Sequence, residues 1–431
     1  MDDTSEFAVI AINEKQLVSW PRVAAVAAMV AFSLPTFVTG LEVGAELNAA
    51  NTAWAIFWGS IIIFAIGAVT GIIGAKSRLS SYLLVRIAFG DRGAAFVNIA
   101  FAISLLGWFG VNINLFMDAV AGLGQTIWGV ALPPVGLAIF ASACMTLTTL
   151  IGFKAINLLA SLLVPVLAVV TFLFAKSALS QNSLPEIFAI EKAETMTTGD
   201  GISAIVGAII IGAIILPDIT RFVRHWSGAI YTSIIAYVVV QLAVMGAAAM
   251  AGTVSGKSDV LEIMLDMNLG LGAFIIVISG SWVLNSLNLY SAVLSTKATF
   301  PKLKTLSLTI GLGAIGVIAA LLNILDGFVT FLFYLSVIFI PVAGVLIIDA
   351  LFIRPGAYQI QTLENNRALN WKGFAAWVVG AVYAIIASEG HVLPLTKIAA
   401  MDAVLLSGIL YTVLAWTERK ASNDPIEVSA S

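Results

Sequence analysis

Leu34-Pro35-Thr36-Phe37-Val38-Thr39-Gly40-Leu41-Glu42-Val43-Gly44 lies inside an apolar run of membrane-spanning length, yet it carries a proline, two glycines and a carboxylate. A second apolar run reads Gly207-Ala208-Ile209-Ile210-Ile211-Gly212-Ala213-Ile214-Ile215-Leu216-Pro217-Asp218 and repeats the mixture of spaced glycine and proline. Irregular backbone at membrane depth is tolerated only where protein buries it or a cavity borders it. Two broken helices at corresponding positions of two halves point to a binding site between inverted repeats. Glycine and proline are also commoner in membrane helices generally, so this pairing alone leaves open a bundle without internal symmetry.

The surroundings of these runs say what kind of chain holds them. Of 431 residues 60% are hydrophobic and 10% charged, where a soluble domain carries about 25% charged residues. The mean hydropathy is +1.03. Crossing ~30 Å of hydrocarbon takes ~20 apolar residues, and twelve such stretches are expected: 22–45, 53–74, 93–122, 131–152, 156–176, 201–222, 228–252, 269–297, 305–323, 328–352, 373–388 and 399–417. The chain reads as an all-α integral membrane protein of twelve transmembrane helices. Residues 1–20 hold four acidic residues and lack the order of a signal peptide, so internal spans are expected to direct insertion.

Lysine and arginine set the orientation. With the N-terminus in the cytoplasm, 17 of the 21 fall in inside segments, while Lys176, Lys192, Lys257 and Lys397 fall outside. One missed span would scramble that bias. Both termini are therefore expected in the cytoplasm of a multi-pass cell-membrane protein. A net charge of -3 offers nothing to a nucleic acid. One cysteine, Cys144, excludes an intrachain disulfide, and two distant histidines, His225 and His391, offer no metal or haem site, so no cofactor is expected.

A second echo strengthens the symmetry. Span three carries Trp108, Asn112 and Asn114; span eight, five spans later, carries Trp282, Asn285 and Asn288. The organisation expected is a cytoplasmic tail 1–21, a first five-helix repeat 22–176, a second 201–352, two appended helices 373–417 and a tail 418–431. Spans one, three, six and eight would surround a site at the midplane.

Polar side chains at membrane depth cost ~2.5–3.5 kcal/mol on insertion scales and are functional candidates by default. Glu42, between Gly40 and Gly44, is placed where the helix is expected to unwind. It either binds a substrate N–H or carries a coupling proton; the bland alternative is a protonated acid bonded to freed backbone. Asp218, ahead of Arg221, reads as a cap or ion pair at a helix junction, or a gate. Asn112 shares a face with Trp108 one turn away, and Asn285 shares one with Asn288. Amides supply donors and acceptors together, and an indole supplies a flat surface. That combination suits a flat, neutral, amide-like heterocycle, although asparagines also bond helix to helix in membranes. Ile209 and Gly212 are the span-six contributions. No Walker loop, HExxH, GxSxG or CxxC motif is present, which argues against an intramembrane enzyme. A channel would show a continuous polar stripe, whereas these polar residues cluster at mid-depth.

Several of these segments resemble a known family. Gly107-Trp108-Phe109-Gly110-Val111 is similar to the span-three segment of bacterial cytosine permeases. Pro217-Asp218-Ile219-Thr220-Arg221-Phe222 resembles the Asp-x-x-Arg-aromatic junction after span six. Asn285-Ser286-Leu287-Asn288-Leu289-Tyr290-Ser291 resembles span eight of purine–cytosine permeases, and the run Pro341 to Asp349 resembles the end of span ten. In order and spacing the set covers nearly the whole chain and points to nucleobase:cation symporter family 1. The resemblance implies a LeuT-type 5+5 inverted repeat plus two C-terminal helices, a base stacked on Trp108, Asn112 facing substrate, Asn285 reading the base, and Glu42 contributing from span one. The chain departs from the family pattern at two places. Val283 and Leu284 stand where sodium-coupled relatives carry two hydroxyl residues. Residues 202–221 hold no aromatic, and Ile209 stands near the position where cytosine-binding relatives have one.

The expectation is therefore a permease importing cytosine or a purine by alternating access, coupled to protons, with sodium as the alternative ion. A relative carrying hydantoin, allantoin or a vitamin is the alternative within the family.

Overall fold

A computed structural model describes residues 11–257, 259–322 and 328–423. The outer parts of both expected tails, 1–10 and 424–431, and the junction 323–327 after span nine lie outside the described residues. The helices are α1 (Trp20–Ala31), α2 (Leu34–Glu46), α3 (Ala49–Ser77), α4 (Ser81–Trp128), α5 (Pro134–Ile151), α6 (Phe153–Gln181), α7 (Leu184–Ala189), α8 (Thr198–Ile214), α9 (Pro217–Thr220), α10 (Ser227–Ser255), α11 (Val260–Asp266), α12 (Gly270–Thr299), α13 (Thr305–Leu321), α14 (Phe328–Ile348), α15 (Trp371–Ser388) and α16 (Ala399–Asn423). Among the described residues, extended pairing is confined to one isolated contact between Val18 and Val223.

Ten of these helical segments are long and apolar enough to cross a membrane, and joining α1 to α2 as one bent span makes eleven. α13, with 17 residues, fills the ninth expected span at the short end of the crossing range, ~17–25 residues. Every expected span thus has a helix.

The first span breaks earlier than its glycines suggest. α1 and α2 meet at a 49° bend between Ala31 and Leu34, with Pro35 in the first turn of α2. Proline has no N–H to give and a fixed φ, so it suits a helix start and ends the helix before it. Gly40 and Gly44, where unwinding was expected, are helical. A Cβ on Gly40 would stand 2.6 Å from the carbonyl oxygen of Met245, and one on Gly44 would stand 3.0 Å from Ala249. These glycines let α2 lie against α10 instead of loosening the chain. Span six has a milder interruption: α8 ends at Ile214 and Pro217 opens the four-residue α9, and the two run on as one span, Thr198–Thr220, without the sharp bend of span one.

α8 and α9 form the central span, 89% buried over its apolar window, whereas α6 is only 28% buried and faces outward. α3 and α14 flank α8, and α12 runs along α4. Apolar side chains such as Phe96, Ile103, Phe140 and Phe172 stay exposed on the outer helices, as a lipid-facing surface requires. A buried carboxylate ties α16 and the loop before α15 to the end of α14. Asp349 accepts from Arg354 (2.5 Å), from Tyr358 Oη (2.7 Å) and from Tyr411 Oη, with Arg367 at 3.8 Å. Gly90, at φ +77°, kinks α4 there, against the main chain of Arg367 and Leu369.

Candidate functional site

The two broken spans, together with α4, α10 and α12, enclose a cavity of about 50 Å³. Trp108 of α4 lines it, 6% exposed, and meets Phe331 edge-on at 5.5 Å between centroids. The glycines around Trp108 serve helix packing. A Cβ on Gly110 would stand 2.9 Å from the Ala319 methyl, and Gly316 opposite makes room for the Phe109 ring.

The break between α1 and α2 supplies hydroxyls. Freed from helical bonding, the Val30 carbonyl accepts from Ser33 Oγ at 2.7 Å and Thr36 Oγ1 at 3.0 Å, and all three residues line the cavity. From α12 come Asn288 and Ser291. Asn288 Nδ2 donates to Asn285 Oδ1 at 3.4 Å, and Asn285 Nδ2 donates to the Phe109 carbonyl at 3.0 Å. Asn285 therefore stands one layer behind Asn288, pinning it to α4.

At one end of the cavity lies Asp218, 1% exposed. Its Oδ1 accepts the Ser81 N–H at the start of α4 (2.9 Å), where unpaired helical N–H groups favour a carboxylate. Its Oδ2 accepts from Ser291 Oγ at 3.2 Å. The fully buried Arg221 donates to the Asp218 carbonyl and to Tyr290 Oη, and lies over the Phe222 ring. Arg78 then caps the chain after α9, donating to the carbonyls of Arg221, Val223 and Arg224.

Of the residues singled out in the sequence, Trp108, Asn288, Gly212 and Asp218 meet at this cavity. Asn112 is fully buried beside it and returns its Nδ2 to the Trp108 carbonyl at 2.8 Å. Ile209 is buried away from it, and Ala208, Ile211 and Gly212 form the α8 wall instead. Glu42, half-buried, lines a separate cleft of about 650 Å³ with Asp118, Asp259 and Glu262. Leu284 lines the cavity and Val283 is fully buried. The sequence reading did not select Ser33, Thr36, Tyr237 or Ser291. Ser33 and Thr36 flank Pro35, and Ser291 lies one turn from Asn288, so spacing offered a signal for them; Tyr237 sits in an unbroken apolar run that offers none. Among the described residues no three His, Cys, Asp or Glu side chains gather as metal ligands.

The sequence pattern of a family described as permeases for cytosine/purines, uracil, thiamine and allantoin matches residues 13–412. A cytosine permease of Escherichia coli strain K12 is 27% identical over 380 residues, 87% of this chain and 86% of that protein. The fold is shared with Mhp1, a nucleobase-cation-symport-1 family transporter in a closed conformation with bromovinylhydantoin bound: TM-score 0.78 at 18% identity, over 95% of this chain and 96% of Mhp1. It is shared also with a Na+-coupled sialic acid symporter, at TM-score 0.68 and 12% identity over 96% and 92% of the two chains. Fold and family are those of transporters, and the architecture is the LeuT-type inverted repeat with two appended helices. The chain is a multi-pass membrane permease and belongs to nucleobase:cation symporter family 1, the cytosine/purine permeases.

Proposed function

We propose that this permease imports a planar nucleobase, cytosine or a purine, stacked on Trp108 in the central cavity and released by alternating access. The observation that carries the reading is Trp108 itself, a nearly closed-off indole on the wall of a cavity bounded by the spans that Pro35 and Pro217 interrupt. A cavity of about 50 Å³ holds little more than water, whose share of liquid volume is ~30 Å³. Admitting a base requires the lining helices to part, and those helices are the ones built in two pieces. The relative from Escherichia coli is named a cytosine permease, which favours a base as cargo over hydantoin, allantoin or a vitamin.

The coupling ion in this reading is the proton. Val283 and Leu284 offer a hard cation no side-chain oxygen, and the Val30 carbonyl at the break already accepts from two hydroxyls. Glu42 is the coupling carboxylate, reached by water through the cleft it lines. Asn285 and Asn112 act on substrate by holding Asn288 and Trp108, and Asp218 with Arg221 closes the inner end. Both termini face the cytoplasm, by the excess of lysine and arginine in that set of loops, and residues 22–176 and 201–352 are the two repeats, interleaved around the cavity. Uptake of labelled cytosine, adenine and guanine into proteoliposomes under a pH gradient or a sodium gradient tests the whole reading. Saturable cytosine or purine uptake driven by pH and indifferent to replacing sodium with potassium is expected. A strict sodium requirement would transfer coupling to main-chain oxygens, and uptake of none of the bases would end the proposal.

A further inference from the structure

Tyr237 is the cavity's unassigned polar group. It lies in a seven-residue π-helical turn of α10, Ile234–Val240, a wide turn that recurs at functional sites. The side chain is 1% exposed and lines the cavity. Two glycines shape its seat. A Cβ on Gly67 would stand 2.6 Å from the ring, and one on Gly212 would stand 3.8 Å from Oη. Among the described residues no protein group is hydrogen-bonded to the hydroxyl. A buried tyrosine normally finds a partner for its O–H, and leaving a buried donor unsatisfied is costly.

The other hydroxyl protons at the cavity are committed. Ser33 and Thr36 donate to the Val30 carbonyl, and Ser291 donates to Asp218. These oxygens keep lone pairs to offer, and Asp218 offers only acceptors when ionised. The cavity therefore presents several acceptors, the second Nδ2–H of Asn288 and, from Tyr237, one uncommitted hydroxyl proton.

We propose that Tyr237 is a specificity-determining residue, its phenol O–H donating to a ring carbonyl of the base while the surrounding acceptors take the base's N–H groups. This rests on the reading of the cavity as a base site. The ligand that fits is a planar base with an amino group and one ring carbonyl, rather than a dicarbonyl base. The hydroxyl arrives from span seven, and span six contributes no aromatic of its own.

The test compares native protein with Tyr237→Phe, which keeps the ring in its glycine seat and removes only the oxygen. Two probes are titrated against the purified protein by tryptophan fluorescence: cytosine, and 4-aminopyrimidine, which has the amino group on the same ring without the carbonyl. Tyr237→Phe should weaken cytosine about tenfold, the worth of one good buried hydrogen bond, and leave 4-aminopyrimidine unchanged. Equal weakening of both probes would make Tyr237 a packing residue and overturn the proposal, as would no weakening of either. Failure of folded native protein to bind cytosine, adenine or guanine would instead overturn the base reading, and this inference with it.

Discussion

The central cavity and the Glu42 cleft both border α2, and they are chemically opposite. The cavity is small, about 50 Å³, and its one carboxylate, Asp218, is bonded from α4 and α12 with Arg221 alongside. The cleft is wide, about 650 Å³, and four carboxylates line it. Two of those are engaged: Asp259 accepts the Leu261 and Glu262 N–H groups at the start of α11, and Glu262 pairs with Lys257 at 2.6 Å. Glu42 of α2 and Asp118 of α4 line the same cleft, and among the described residues neither forms an ion pair. A dry, hydrogen-bonded pocket discriminates shape and donor pattern, because any group left unpaired there is costly. A wet acidic funnel discriminates little but concentrates cations. On the proposed reading, recognition belongs to the first region and ion supply to the second.

Trp108→Ala is the severest way to break that division. Base–aromatic stacking is worth ~1–3 kcal/mol, so cytosine affinity should fall by about one to two decades, measured by equilibrium binding. A melting temperature close to native would show that the fold survives. Unchanged affinity in folded protein would remove the cavity from recognition.

The two amides sharpen the inner half of the comparison. Asn285→Ala strips the Phe109 carbonyl and Asn288 Nδ2 of their partner at once, and each unpaired buried group costs ~1–3 kcal/mol. Asn285→Ala should therefore lower both thermal stability and affinity, and more severely than Asn288→Ala, which should lower affinity and leave melting close to native. Equal, small effects of the two would make both structural.

Glu42→Gln tests the cleft half. Gln keeps shape and hydrogen bonding but carries no titrating proton. Base binding should stay near native and exchange should persist, while accumulation against a gradient is lost in proteoliposomes. A large loss of affinity would bring Glu42 back to the substrate.

The smallest effect is expected at the rim of the cleft. Hydrogen bonds to Asp266 and then Glu262 hold the Lys257 ammonium above its ordinary range. A raised lysine stabilises fully below its unfolded value, ~10.4, and that contribution is lost as pH rises through the higher folded value. Lys257→Met should thus leave cytosine binding untouched at neutral pH and abolish only an alkaline change in hydrogen exchange of α11. An effect on binding would connect the rim to the cavity.

The contrast between Trp108 and Glu42 shows how far sequence reaches. The place of Trp108 on the cavity wall was legible because an indole and an asparagine one turn apart share a helical face. Glu42 looked equally compelling between its glycines, but those glycines serve a close approach to α10, and the kink falls at Ser33. The amides divide in the same way. Their shared face was visible in the spacing, while their depth depended on how α12 is rotated against α4.

Hydropathy, proline and charge bias are local quantities, additive along the chain, and membrane insertion reads them locally. They determined by themselves an all-α bundle of about a dozen spans, with proline interrupting two of them. What only the tertiary structure decided was which polar atoms share one space: Asn288 in front of Asn285, Asp218 inside and Glu42 outside, and Tyr237 brought in by a π-helical turn that no local pattern announces. The reason is geometric, since a helix shows its whole circumference in sequence and only packing selects the narrow face that meets the cavity.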